Sequence, residues 1–517
     1  MLSRTGRKKA LNRLKGKLEA QRSPVEKDQS TVPVADAMRS YWERDFLSFA
    51  IPAHNGGRGP APEFTRWAGM DAARFDLPMS HGVDTRDRAW GVLSTAQELF
   101  AEAVSAKQTL FSTNGSSMNV HVAIMTVAGP GETLVMARNG HKSSFAGLVL
   151  SGARPIYVDP AYDEELEVAH TVTPEALAQV LDSTPEARAA LVFTPSYYGT
   201  AADVAGLAEA CHQRDIPLVT DDAWGLDYAL GGHPDLPEGA LSQGSDLAIG
   251  SAHKTLTAMG QTSVLSVGSD RIDTERLQLC FELEESTSAS ALLLSSIDGA
   301  RRQAVREGRA LLDRAIRAAE LAREKLAVEV PELEVIDPRS LVGRPGVAAA
   351  DPTHLYIETH SVGLTGYQAD DWLRDERAVD VELADHRRII PLFTFAHGEQ
   401  DVERLVSALR HMVDEHGDAG GETDIAPLPS RRDLRTEQAA LPREAFFAKT
   451  ERVKPKEAVG RVSAELVTPY PPGIPALAPG ELVNDAVVDY LEEIVAAGAF
   501  LEGAADQALD ELRVVAE

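Results

Sequence analysis

Cysteine is almost missing from this chain: Cys211 and Cys280 are the only two in 517 residues. Two thiols make neither a disulfide framework nor a cysteine-rich zinc site, and no metal centre is expected. Positive charge is also short. The 51 Lys and Arg face 79 Asp and Glu, a net charge of −28, which argues against a general binder of nucleic acid or anionic membrane. No apolar run approaches the roughly 18 residues needed to cross a bilayer. Aromatic residues are few, at 6%, but 44% hydrophobic and 25% charged residues are ordinary for a packed globular protein. A disordered chain, a collagen-like fibre and a stapled miniprotein are therefore excluded. The length sets a prior of three to four structural units. The expectation is a soluble, cytoplasmic, multidomain enzyme with no nucleic-acid and no membrane partner.

The charge is unevenly spread. Between Met1 and Arg22, eight cations oppose one acid, Glu19, so that stretch carries +7 and the rest of the chain −35. A basic arm, helical at best, is expected there rather than a targeting signal, able to dock on the acidic body of a neighbouring subunit. Short apolar runs at 133–137, 155–158, 190–194, 217–220, 246–250 and 262–267 predict strands, with helices at 116–127, 143–151 and 204–214 between them. Such alternation predicts an α/β architecture with a mainly parallel sheet covered by helices. A long helical stretch at 291–326, then strand-like 354–358 and 389–393, each followed by a helical segment, predicts a smaller α/β domain. The expected division is a basic arm over 1–45, a large domain over 46–290, a small domain over 291–416, a polar linker over 417–441 and a last unit over 442–517.

Four features carry chemistry. The apolar segment from Asp246 ends in Ser251-Ala252-His253-Lys254, and a lysine at a buried strand end needs something to consume its charge. An aldehyde cofactor does so by forming a Schiff base. The run Ile216–Thr220 leads into Asp221-Asp222-Ala223-Trp224-Gly225. That places Asp221 at a strand's carboxyl end, where open α/β sheets bind ligands and an acid suits a pyridine nitrogen. Ser112-Thr-Asn-Gly-Ser-Ser-Met-Asn119 opens an apolar helix, a setting that offers amides and hydroxyls to a phosphate. His141 follows another predicted strand and could stack on a ring. Singly, each has an ordinary reading: a solvated lysine, a loop-capping Asp, helix-cap residues and a structural histidine. Pyridoxal 5'-phosphate engages all four at once.

With those motifs in place, the chain resembles the Orn/Lys/Arg decarboxylase family of fold-type-I, aspartate-aminotransferase-like enzymes. The resemblance runs from about Phe46 to the C-terminus. It rests on TNGSS at 113–117, RNGHKS at 138–143, TPSYYG at 194–199, SAHKTL at 251–256 with Gln261 after it, STSAS at 286–290, and PYPPGIP with PGE at 469–481. The resemblance implies a large cofactor domain, a small α/β domain and a C-terminal α+β domain, in the compact form without an additional N-terminal wing. It implies Lys254 as the Schiff-base lysine, Asp221 on the ring nitrogen, and Ala223 and His141 on the two ring faces. Gly115, Ser116, Ser117, Ser251 and His253 would hold the phosphate, and Lys254 or His253 would reprotonate the product. The STSAS stretch would reach a neighbouring subunit's phosphate, implying a homo-oligomer, at least a dimer, with shared active sites.

The implied reaction is decarboxylation of arginine, lysine or ornithine, with arginine or lysine favoured. The chain departs from the family pattern in Pro52-Ala53-His54-Asn55-Gly56-Gly57 and in Trp224, both expected near the substrate. Glu465, Asp84 and Glu481 are candidates for the carboxylate that receives the substrate's cationic tail. Two alternatives stay open: another fold-type-I enzyme, such as an aminotransferase or carbon–sulfur lyase, and a non-catalytic relative.

Overall fold

A computed structural model of the chain describes residues 28–44, 47, 49–77, 79, 83, 91–417, 434–470 and 473–516. Its centre is a seven-stranded sheet built from β1 (Gln108–Ser112), β2 (Thr133–Ala137), β3 (Arg154–Val158), β4 (Ala187–Phe193), β5 (Leu218–Asp221), β6 (Leu247–Ser251) and β7 (Ser263–Val267), in the order β1-β7-β6-β5-β4-β2-β3. The pairings β3–β2–β4–β5–β6 are parallel. Only β7 opposes its two neighbours, β6 and β1. The predicted strands all form, with ends displaced by up to three residues.

This sheet is buried on both faces, and the side-chain period of two divides each strand between them. Leu134 and Met136 of β2 point into one cluster, with Val122 and Ile124 of α1 (Gly115–Val127). Val135 and Ala137 point into the other, with Leu177, Leu207 and Cys211. Each such fully buried aliphatic side chain contributes about 1.5–3 kcal/mol. Gly147 in α2 (Lys142–Ser151) lets that helix lie close on α1, since an added Cβ would stand 2.6 Å from Ile124 Cδ1. Parallel strands put every carboxyl end on one rim. Ser112, Ala137, Phe193, Asp221 and Ser251 all lie there.

A 39-residue helix, α3 (Ala291–Glu329), runs out of this domain. It leads to a four-stranded antiparallel sheet of β8 (Glu334–Ile336), β9 (Tyr356–Glu358), β10 (Leu383–Ala384) and β11 (Arg388–Ile390), in the order β8-β9-β11-β10. The last part of the chain pairs β12 (Thr450–Val453) with β15 (Leu512–Val515), and β13 (Thr468–Tyr470) with β14 (Phe500–Glu502). The expected boundary between the small domain and the last unit does not separate two cores. One cluster joins Leu355, Ile357 and Leu409 of the former to Val467, Leu491 and Leu501 of the latter.

The N-terminal arm departs from expectation. Its cationic residues 1–22 lie outside the described residues, but 28–44 belong to the body of the same chain. Val34 and Met38 of the helix Pro33–Glu43 are buried against α3. The wholly buried Arg301 donates to Gln29 and Thr31 carbonyls and pairs with Asp298, which in turn accepts from the Val34 N–H. Apolar residues at 34 and 38, one helical turn apart, account for this docking. Among the described residues, no helix is long and apolar enough to cross a membrane.

Candidate active site

The rim assembles the predicted residues in one place. Asp221 ends β5 and is buried. Its Oδ1 accepts from the Ala223 N–H at 3.3 Å. Burial pushes the carboxyl up to about 6, against the opposing pull of the Lys254 cation. Lys254 lies three residues beyond the end of β6, and its Nζ sits 4.1 Å from the centroid of the Trp224 ring. Burial lowers the Lys254 amine, while Asp221 and then Glu382 act to raise it. Each group is thus held nearer its neutral form by burial and nearer its charged form by the other.

His141 caps α2, its Nδ1 2.8 Å from the Ser143 hydroxyl. Burial first, then the Lys254 and Lys142 cations, push its imidazole down to about 3, so the ring is neutral at physiological pH. His253 Nδ1 lies 2.9 Å from the Thr262 carbonyl. A carbonyl only accepts, so Nδ1 carries a proton there.

The residues expected around a phosphate converge at the start of α1. Ser251 donates to Ser116 Oγ at 2.7 Å, joining the ends of β6 and α1. Asn114 occupies the cap position, yet its amide donates to the Glu284 carbonyl instead, leaving the first turn without a side-chain cap. Gly115 adopts φ +78°, and an added Cβ there would meet open space. One expectation needs correction: the Gly115 N–H already donates to the Gln261 carbonyl at 2.8 Å. That amide is taken up, which leaves the N–H groups of Ser116 and Ser117 as the candidates for an anion at this helix start, while Gly115 contributes its positive-φ turn.

These features fit pyridoxal 5'-phosphate: an uncapped helix start for a phosphate, a buried acid for a ring nitrogen and a desolvated amine for an aldehyde. Two buried polar atoms beside them, Tyr197 Oη and Trp224 Nε1, lack a partner, as expected of a site that receives a polar group.

Of the proposed tail carboxylates, Asp84 lies outside the described residues. Glu465 is spent on the backbone N–H groups of Ala505 and Arg513, both at 2.7 Å. Glu481 pairs with Arg138 and accepts from the Ala478 N–H. Neither faces the cleft. Glu382, which the sequence reading missed, does. It lines a cleft of about 410 Å³ with Lys254, Phe393, Thr394 and His397. Among the described residues nothing hydrogen-bonds or pairs with its carboxylate. Its surroundings raise the carboxyl, with Lys254 opposing. The only trace in the sequence is an acid between Val381 and Leu383, next to the buried β10.

A lysine, a buried aspartate and an uncapped helix start on the carboxyl rim of this sheet define the fold-type-I class of pyridoxal-phosphate enzymes. Within that class, residues 32–401 match the model of the "Orn/Lys/Arg decarboxylase, major domain", and 432–504 match the model of that family's C-terminal domain. The chain belongs to the Orn/Lys/Arg decarboxylase family. It is 35% identical to an arginine decarboxylase of Halalkalibacterium halodurans over 95% of this chain and 98% of that one. It is 34% identical to one of Bacillus subtilis over 95% and 99%. Its fold matches the lysine decarboxylase of Francisella novicida with a TM-score of 0.77, at 20% identity, covering 94% of this chain and 81% of that one.

Proposed function

We propose that this chain is a pyridoxal 5'-phosphate-dependent decarboxylase of a basic amino acid, with arginine as its preferred substrate. The observation that carries this reading is the joint placement of Lys254, Asp221 and His141 beside a cleft whose free carboxylate is Glu382. The arginine preference draws support from the relatives at 35% and 34% identity, both named arginine decarboxylases.

In this reading Ser116 and Ser117 amides, with Ser251 and His253, hold the phosphate, Asp221 meets the ring nitrogen, and Ala223 and His141 flank the ring. When bound, the cofactor supplies an aldehyde for a Schiff base and an electron sink for the carbanion left as carbon dioxide departs. The chain's own residues do the rest. Burial lowers the Lys254 amine toward the neutral form in which its Nζ acts as a nucleophile. Neutral His141 adds no charge that would compete with Asp221. Glu382 receives the substrate's cationic end and so orients the carboxylate to be lost. Phe193, Tyr197 and Trp224 exclude water from the reacting carbon. Lys254 Nζ or His253 Nε2 then returns a proton to that carbon.

The same reading includes a cytoplasmic homo-oligomer. The STSAS stretch, which the family resemblance sets against a neighbouring subunit, follows a helix, Thr274–Glu284, that exposes Leu279 and Leu283 one turn apart. The deciding experiment is carbon dioxide release from arginine, lysine and ornithine with added pyridoxal 5'-phosphate. Release fastest from arginine, with agmatine as the amine formed, is expected. Formation of a keto acid instead, or a colourless protein that releases nothing from any of the three, would overturn the reading.

A further inference from the structure

The ring of His141 is held on one edge by its own helix and left open by that helix on the other. At the start of α2 its Nδ1 lies 2.8 Å from the Ser143 hydroxyl, which fixes the Nδ1 edge. The Cδ2 edge faces a loop more than 300 residues later. Gly473 sits there with φ +92°, and an added Cβ would stand 3.9 Å from His141 Cδ2. Its N–H donates to the Pro469 carbonyl at 3.1 Å, closing a turn whose positive φ suits glycine. The next residue, Ile474, packs on the cluster that contains Ala223, Trp224 and Tyr197. One turn of the C-terminal unit thus backs the imidazole and adjoins the cluster that holds the residue expected on the other face of the ring.

What holds that turn in place is Arg138, three residues before the histidine and directly after β2. It donates to the Pro475 carbonyl at 2.6 Å and the Ala476 carbonyl at 3.2 Å, and pairs with Glu481 at 3.1 Å. Glu481 is wholly buried and also accepts from the Ala478 N–H at 2.8 Å. The guanidinium lies over the rings of Phe145 in α2 and Tyr157 in β3, with centroids at 5.1 and 5.4 Å. Such a planar fork joins two carbonyls, a carboxylate and two aromatic faces at once, which an ammonium does not. Lys142, on the other side of His141, pairs with Glu502, but both side chains are more than a third exposed, and such pairs contribute little. The buried Arg138–Glu481 contact is therefore the main tie between the histidine's segment and the turn behind it.

We propose that Arg138 is the positioning residue for His141: by clamping the 473–481 segment onto the rim, it fixes the imidazole at the angle at which it meets the cofactor ring. The proposal rests on the reading above in which His141 flanks that ring. It gives the C-terminal unit a part in holding the cofactor, although the unit carries none of the expected cofactor residues.

The test uses the full-length holoenzyme and reads the cofactor's dissociation constant, from the Schiff-base absorbance on serial dilution. Arg138→Met is combined with Glu481→Gln, so that no charge is left buried alone and the Gln oxygen still accepts from Ala478. This pair of changes should weaken cofactor binding about tenfold, within the range for residues coupled through one set of contacts. His141→Ala should weaken it as well. Added to His141→Ala, the Arg138 and Glu481 changes should cost nothing further, because a clamp that acts through the imidazole has nothing left to position. A merely structural role would instead give the same loss with and without the imidazole. That additive outcome, or wild-type cofactor affinity in the Arg138→Met, Glu481→Gln variant, would overturn the proposal. If wild type binds pyridoxal 5'-phosphate but releases carbon dioxide from no basic amino acid, the decarboxylase reading fails, while the clamp is still decided by cofactor affinity.

Discussion

Replacing Asp221 by Asn tests the electrostatics of the site without disturbing its shape. The carboxyl is buried, and its pKa is pushed from 3.8 to about 6. An acid whose folded-state pKa is raised binds more protons folded than unfolded, so stability falls as pH rises between those two values. At about 1.4 kcal/mol per unit, the ionised form costs the cofactor-free protein up to about 3 kcal/mol above pH 6. Asparagine keeps an oxygen for the Ala223 N–H and carries no charge. Stripped of cofactor, Asp221→Asn should therefore be more stable than wild type at pH 7.5 by about 1–3 kcal/mol, and equal to it near pH 4. Urea unfolding followed by tryptophan fluorescence at the two pH values measures this. With pyridoxal 5'-phosphate bound, the order should reverse, because a protonated ring nitrogen then offsets the buried charge in wild type only. A cofactor-free variant no more stable than wild type at pH 7.5, or a gain that grows on acidification, would refute the reasoning.

Lys254→Ala should lose the Schiff-base absorbance and lower turnover on the order of 10³-fold or more, read by spectroscopy and carbon dioxide release. Glu382→Gln should lower kcat/KM for arginine about ten- to a hundredfold, the worth of a hydrogen bond to a charged group. Slow turnover of norleucine, which has no cationic tail, should be unaffected, and that comparison is the control. Arg301→Met leaves Asp298 buried without its partner and should cost about 3–5 kcal/mol. Unfolding measurements and faster proteolysis near residues 29–34 would show it.

Much of the large domain was legible because its strands are short, mostly apolar and separated by helical patterns. Burial on both faces requires that pattern whatever the neighbours are. Asp221, Ser251 and Lys254 were legible for the same reason: polar residues placed directly after such strands fall on the rim. Glu382 was not legible. Its place in the cleft depends on the antiparallel sheet of the small domain bringing 382 beside 254, which no local pattern encodes. Glu465 and Glu481 illustrate the converse. Both lie among recognisable motifs, but their carboxylates are taken up by backbone N–H groups and by Arg138, partners distant in sequence.

By itself, the sequence determined the α/β class, the family and the excess of negative charge, and it pointed to Lys254 as the candidate lysine at the rim. These follow from composition and from local runs in which residue type and spacing are sufficient. The tertiary structure decided that residues 28–44 dock on their own chain and that the small domain and the C-terminal unit share one core. It also decided that the acid lining the cleft beside Lys254 is Glu382. Each of these depends on contacts between segments far apart along the chain, whose energies come from burial and ion pairing that exist only once the chain has folded.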